Sequence, residues 1–166
     1  DDVRIQIAQN KKLEELKDEK AYRLPKEQRL QRLTALFQGM AQLEGGAKQT
    51  LHYTDVSPAV VIMAVTKGGN HIFSHAINAN SDGLPQINLE ALKEALRVFN
   101  EEILSDIFIG WVKGYSEKEH AKLEAFIETA EATTANGKAI KISHPRESFL
   151  AFIEAMNKAE NASWLD

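Results

Sequence analysis

No cysteine occurs among the 166 residues, which removes disulfide staples, thiolate zinc sites and cysteine nucleophiles together and fits a reducing compartment. Long hydrophobic runs are also missing. The most extended, Pro58 to Val65, is far shorter than the roughly 20 residues a membrane-spanning helix needs. The amino end lacks the basic-then-apolar order of a signal peptide, so no membrane partner is expected and the cytoplasm is the expected compartment. Bulk positive charge is absent too: the net charge of -4 opposes nonspecific adhesion to nucleic acid.

What is present is a globular composition, 43% hydrophobic and 27% charged, enough to bury a core as a single domain over residues 1–166. The charge is uneven. Between Lys20 and Asp55, Lys20, Arg23, Lys26, Arg29, Arg32 and Lys48 face only Glu27, Glu44 and Asp55, so a polyanion site is expected there. The sequence opens on Asp1-Asp2-Val3 without a methionine, which fits the later part of a longer chain.

Periodicity sets out the elements. Val3, Ile5 and Ile7 alternate with polar residues and predict a short strand. Residues 9–23 are dense in charge and predict an exposed connector. Leu30, Leu33, Phe37 and Met40 form a stripe at three- and four-residue spacing, with Arg29 and Arg32 off it; Gly45-Gly46 is the predicted end of that helix. The β-branched run Val60 to Val65 predicts a central strand covered on both faces. Gly68-Gly69-Asn70 predicts a turn to a hairpin partner, His71 to Ile77. Asn88 is the predicted cap of a helix carrying Leu89, Leu92, Leu96, Phe99 and Ile103, followed by a strand from Ile107 to Val112. Ser116 and Glu119 have capping-box spacing, ahead of a helix with Leu123, Phe126, Ile127 and Ala130 that stops at Asn136-Gly137. Ala139 to Ile142 predicts a short strand, and Pro145 opens a helix bearing Phe149, Phe152, Ile153 and Met156. Interleaved helices and strands around a glycine-turn hairpin predict an α+β fold, ferredoxin-like or RNA-recognition-type, with helices packed on a mixed antiparallel sheet.

The stretch from Leu43 to Pro58 holds the most suggestive chemistry. Gly45 and Gly46 let backbone N–H groups approach an anion. Lys48 adds a point charge, and Gln49, His52 and Tyr53 offer hydrogen bonds or stacking surfaces to bases. The bland reading stands beside it: a glycine helix stop, a solvated lysine and a tyrosine at the core edge. The spacing is not that of a Walker loop. His71 and His75 share one face of the predicted strand but lack a third ligand, so neither metal nor cofactor is expected. His52, Asp55 and Ser57 have the residue types of a hydrolase triad without a nucleophile elbow. Core packing is expected of Trp111, whereas Trp164 suits either an anchor or a contact with a neighbour.

The pieces Leu43-Glu44-Gly45-Gly46-Ala47-Lys48-Gln49, Thr54-Asp55-Val56-Ser57-Pro58 and Lys67-Gly68-Gly69-Asn70 resemble the DevR-type family of CRISPR backbone proteins. Ile109-Gly110-Trp111-Val112-Lys113-Gly114-Tyr115 and His144-Pro145-Arg146-Glu147-Ser148-Phe149 are similar to that family's closing portion, and together these pieces span most of residues 30–155. The resemblance implies a modified ferredoxin-like subunit that is not an enzyme. Its copies stack head to tail along crRNA in a type I Cascade assembly, beside other Cascade subunits, and hold the guide for pairing with target DNA. It assigns RNA contact to Gly45, Gly46, Ala47, Lys48, Gln49 and Thr50, with His52 and Tyr53 beside them; Arg29 and Arg32 are added by charge alone. Family members are about twice as long, so the chain corresponds to the later half. Two other classes stay open. One is a protein-only scaffold working through acidic helix faces and Trp164. The other is a small hydrolase or metal enzyme built on His52, Asp55, His71 or His75.

Overall fold

Local hydrogen bonding wins over side-chain alternation at the amino end. In the computed structural model, which describes residues 2–44 and 55–166, the segment with Val3, Ile5 and Ile7 forms helix α1 (Asp2–Asn10) rather than a strand. A strand needs a neighbour to satisfy its backbone, whereas a helix satisfies its own. All three apolar side chains are exposed and only Ala8 is buried. Residues 9–23 hold the end of α1 and a small antiparallel hairpin, β1 (Glu14–Leu16) with β2 (Ala21–Arg23). Glu14 and Arg23 meet across it at 2.8 Å.

The predicted stripe builds α2 (Lys26–Ala41), whose Leu30, Leu33 and Phe37 pack against the core, while Met40 is exposed. The helix closes with the Gln42 N–H bonded to Gln38; the glycine pair read as its end lies outside the described residues. β3 (Val60–Met63) follows. Its expected hairpin partner does not form: His71 lies in an irregular stretch and residues 72–76 make turns. Ile77 instead begins β4 (Ile77–Ala79), which pairs with β5 (Pro85–Ile87). Asn80 explains the pairing. Its side-chain oxygen accepts from the N–H groups of Asp82 and Leu84, both at 2.9 Å, and Gly83 takes φ 76°, making a tight turn in the loop the sequence marked.

Asn88 caps α3 (Leu89–Val98) through the Ala91 N–H at 3.1 Å, as expected. β6 (Ile107–Trp111) is buried along its whole length. α4 (Glu117–Ile127) begins without the expected box: Ser116 is in the left-handed region and makes no side-chain cap. Glu119 is drawn away to the Ile87 N–H at 3.0 Å and to Lys122, and Glu117 accepts from the Gly114 N–H instead. The helix stops at Ile127, well before Asn136-Gly137. Asn136 serves another purpose, its amide donating to the carbonyls of Asn100 and Ile103. β7 (Ile140–Ser143) and α5 (Pro145–Asn157) stand where expected.

Among the described residues the main sheet has the order β3-β6-β7, with β3 antiparallel and β7 parallel to β6. β3 is therefore an edge there and β6 is central. The sequence reading placed the Val60 to Val65 strand at the centre because a run apolar on both faces reports helical cover on each side, which an edge strand can also have. Ile107, Ile109 and Trp111 share one core with Leu92 and Leu96 of α3 and Leu123 and Phe126 of α4. Phe108 joins Phe152, Ile153 and Met156 of α5 and Leu33 and Phe37 of α2 in a second core. The molecule is thus an α+β protein whose small central sheet lies between two helical layers. No helix among the described residues is long and apolar enough to cross a membrane.

Candidate nucleic-acid interface

The start of α5 is pinned to the central strand by small residues. A Cβ on Gly110 would lie 2.5 Å from the Pro145 Cα and 2.6 Å from the Val61 Cγ1, so only glycine lets α5 seat this closely. The Ser148 hydroxyl, fully buried, donates to the Ile109 carbonyl at 2.9 Å. His144 caps the helix: its Nδ1 accepts from the Arg146 N–H, and its own N–H donates to the Glu147 carboxylate, both at 3.3 Å. Pro145 at the first helical position costs no hydrogen bond.

From this seat Arg146 reaches back to α2. Its Nε donates to the Ala41 carbonyl at 2.9 Å and its terminal nitrogen to the Glu44 carboxylate at 2.8 Å. The last residue before the 45–54 segment is thereby tied to the start of α5. On the far side Asp55 accepts from the Ser57 N–H at 2.8 Å; hydrogen bonds from the Ser57 backbone and side chain hold the Asp55 carboxyl below its ordinary pKa. Both stems line one cleft of about 510 Å³, together with Met40, Val112, His144 and Phe149.

The predicted contacts Gly45, Gly46, Ala47, Lys48, Gln49, Thr50, His52 and Tyr53 lie outside the described residues. The rim that is described is acidic, since Glu44, Asp55 and Glu147 outnumber Arg146, which is itself committed to Glu44. Within the 45–54 segment itself the sequence supplies one lysine or arginine, Lys48. Arg29 is engaged internally: it donates to the Leu24 carbonyl at 2.9 Å and to the Leu165 carbonyl, and lies 3.9 Å from Glu14. Arg32 is exposed and borders a groove with Arg29, Leu33, Trp164, Leu165 and Asp166.

The other constellations do not converge. His71 and His75 are both exposed, not on a strand face, and among the described residues no three His, Asp or Glu side chains gather as a metal site. Asp55 and Ser57 are joined through a backbone turn rather than as orienter and nucleophile; His52 lies outside the described residues. Trp111 is a core residue whose indole donates to the Tyr115 carbonyl at 2.7 Å.

Comparison with protein-family models, with curated proteins and with solved structures finds no match. The geometry therefore stands alone. The residues that organise the cleft, Gly110, His144, Arg146 and Ser148, were visible only as parts of two resembling motifs. His144 works through its near neighbours Arg146 and Glu147, but the roles of Gly110, Ser148 and Arg146 depend on Val61 and Pro145, on Ile109, and on Ala41 and Glu44, all distant in sequence from the groups that touch them.

Proposed function

We propose that the chain is a non-catalytic RNA-binding backbone subunit of a type I CRISPR Cascade complex, gripping crRNA through the 45–54 segment. One observation carries the reading: both stems of that segment, Glu44 on one side and Asp55, Ser57 and Pro58 on the other, line a single cleft, and Arg146 ties the Glu44 stem to the start of α5. Stems that lie against one cleft bring the Gly-Gly-Ala-Lys-Gln stretch and Lys48 beside a fixed surface, and a fixed surface costs less ordering on binding, which favours that stretch as an RNA clasp. We read the three-stranded sheet as part of a ferredoxin-like plan. Since helices cover both of its faces, RNA is held by segments at the sheet's end and not by aromatics on an open face, as an RNA-recognition module would do. Repetition of weak phosphate contacts along stacked copies then supplies affinity that one acidic subunit does not.

The test is binding of single-stranded RNA by the full chain at several salt concentrations, with Lys48→Ala/Gln49→Ala as the variant. The expected result is affinity that falls with salt, and in the variant a log–log slope shallower by about 0.7, the amount for one phosphate that Lys48 no longer neutralises. Binding that ignores salt and the double substitution overturns the proposal. A protein-only scaffold is the second reading, favoured by Leu36, Met40, Leu43 and Val56, all exposed at or near the stems. It expects no salt-dependent RNA affinity at all.

A further inference from the structure

Lys26, Arg23 and Arg29 gather at the other end of α2, and the Asp166 carboxylate already sits among them. Lys26 holds the Asp166 side chain at 2.6 Å, and Arg23 and Arg29 add attraction, so the Asp166 carboxyl is held below its ordinary pKa with the Lys26 hydrogen bond as the leading cause. Arg29 donates to the neighbouring Leu165 carbonyl. Its remaining terminal nitrogen is buried and makes no hydrogen bond among the described residues, lying 3.9 Å from the Glu14 carboxylate. Beside these cations an open groove of about 390 Å³ runs between Arg29, Arg32 and Leu33 on α2 and Trp164, Leu165 and Asp166. Trp164 anchors the wall by packing against the second core.

Lys26 on the Asp166 carboxylate, with Arg29 and the exposed Arg32 along the groove and an aromatic ring in its wall, form the chemistry of a phosphate seat with a stacking wall. We propose that this groove is a second seat for a phosphate of single-stranded RNA, in which Asp166 is the resident competitor that an incoming phosphate displaces. The inference rests on the RNA reading above for its ligand and extends it. α2 joins the two seats, and its 16 residues put their ends roughly 24 Å apart, so one strand following the helix reaches both. Arg29 then has two successive duties, holding Leu165 while the seat is closed and phosphate when it is open.

The experiment uses the full chain with two probes, tripolyphosphate and an oligouridylate. Tryptophan emission is the readout, and Trp164→Phe identifies the signal from that residue. In the wild type, tripolyphosphate is expected to shift Trp164 emission as the 159–166 segment loosens. Asp166→Asn is expected to tighten both probes by about two- to fivefold, the fold-change that an exposed ion pair's worth converts to. Lys26→Ala/Arg32→Ala is expected to abolish the tripolyphosphate response while leaving the melting curve in place. If tripolyphosphate binds this way and oligouridylate does not bind at all, the seat stands and the RNA reading falls. If oligouridylate binds with no response to Asp166→Asn or to the double substitution, the seat is overturned and the RNA reading stands. Silence from both probes overturns both.

Discussion

Replacing Gly110 with alanine tests the joint on which the cleft depends. The added Cβ meets the Pro145 Cα at 2.5 Å and the Val61 Cγ1 at 2.6 Å, about 1 Å inside ordinary carbon contact. Val61 can turn about its χ1, but the Pro145 Cα is backbone, in a helix start held down by the Ser148 bond to Ile109. Relief therefore requires α5 to retreat from β6. Overpacking of this kind costs about 1–3 kcal/mol, and a backbone clash in the central strand belongs at the upper end. For a chain of this size about 3 kcal/mol lowers Tm by roughly 6–12 °C. Retreat of α5 also carries Arg146 away from Ala41 and Glu44, so amide exchange at Gln42 to Glu44 should accelerate beyond the global destabilisation. Thermal melting followed by circular dichroism, with hydrogen exchange under native conditions, measures both effects. A variant that melts within about 1 °C of the wild type, outside the range this cost implies, would refute the reasoning.

Arg146→Ala removes the same tie without crowding the sheet. It should cost about 1 kcal/mol, since the guanidinium is half exposed, yet weaken RNA binding as Lys48→Ala/Gln49→Ala does; unchanged RNA affinity would separate the stems from the function. Asp106 supplies a pH test. Burial alone raises its pKa, but hydrogen bonds from Lys141 and the Ala139 N–H, with the charges of Lys141 and Lys138, bring it below the ordinary value. A carboxyl with a lowered folded pKa contributes fully above its unfolded pKa of about 4 and loses that contribution as pH falls through the folded value. Asp106→Asn should therefore flatten this part of the acid melt, and an acid profile identical to the wild type would count against the assignment.

Much of the fold is legible along the chain because the signals are local. The stripe of α2, the Asn88 cap, the β6 run and the Pro145 helix start each involve residues within a turn or two of one another, and each stands where periodicity and capping chemistry put it. The failures are instructive where a local pattern met a competing partner. Val3, Ile5 and Ile7 alternate correctly for a strand that has no neighbour to pair with. Ser116 and Glu119 have the spacing of a box whose glutamate is claimed by Ile87, and His71 to Ile77 fits a hairpin whose last residue pairs elsewhere. At the amino end local helical hydrogen bonding wins for want of a partner strand, at Ile77 the Asn80 turn does, and at Glu119 a partner distant in sequence outbids the local pattern.

The sequence by itself determined that this is a cysteine-free α+β chain with a local excess of basic over acidic residues between Lys20 and Asp55, because composition, period and turn chemistry act between near neighbours. Only the tertiary structure decided that, among the described residues, β6 and not β3 lies at the centre of the main sheet. It also decided that Arg146 ties the stem at Glu44 to the start of α5, and that Arg29 and Lys26 are already occupied by Leu165 and Asp166. Those are pairings between residues far apart along the chain, and what selects them is the burial of shared surface when helices close on the sheet, which no local spacing encodes.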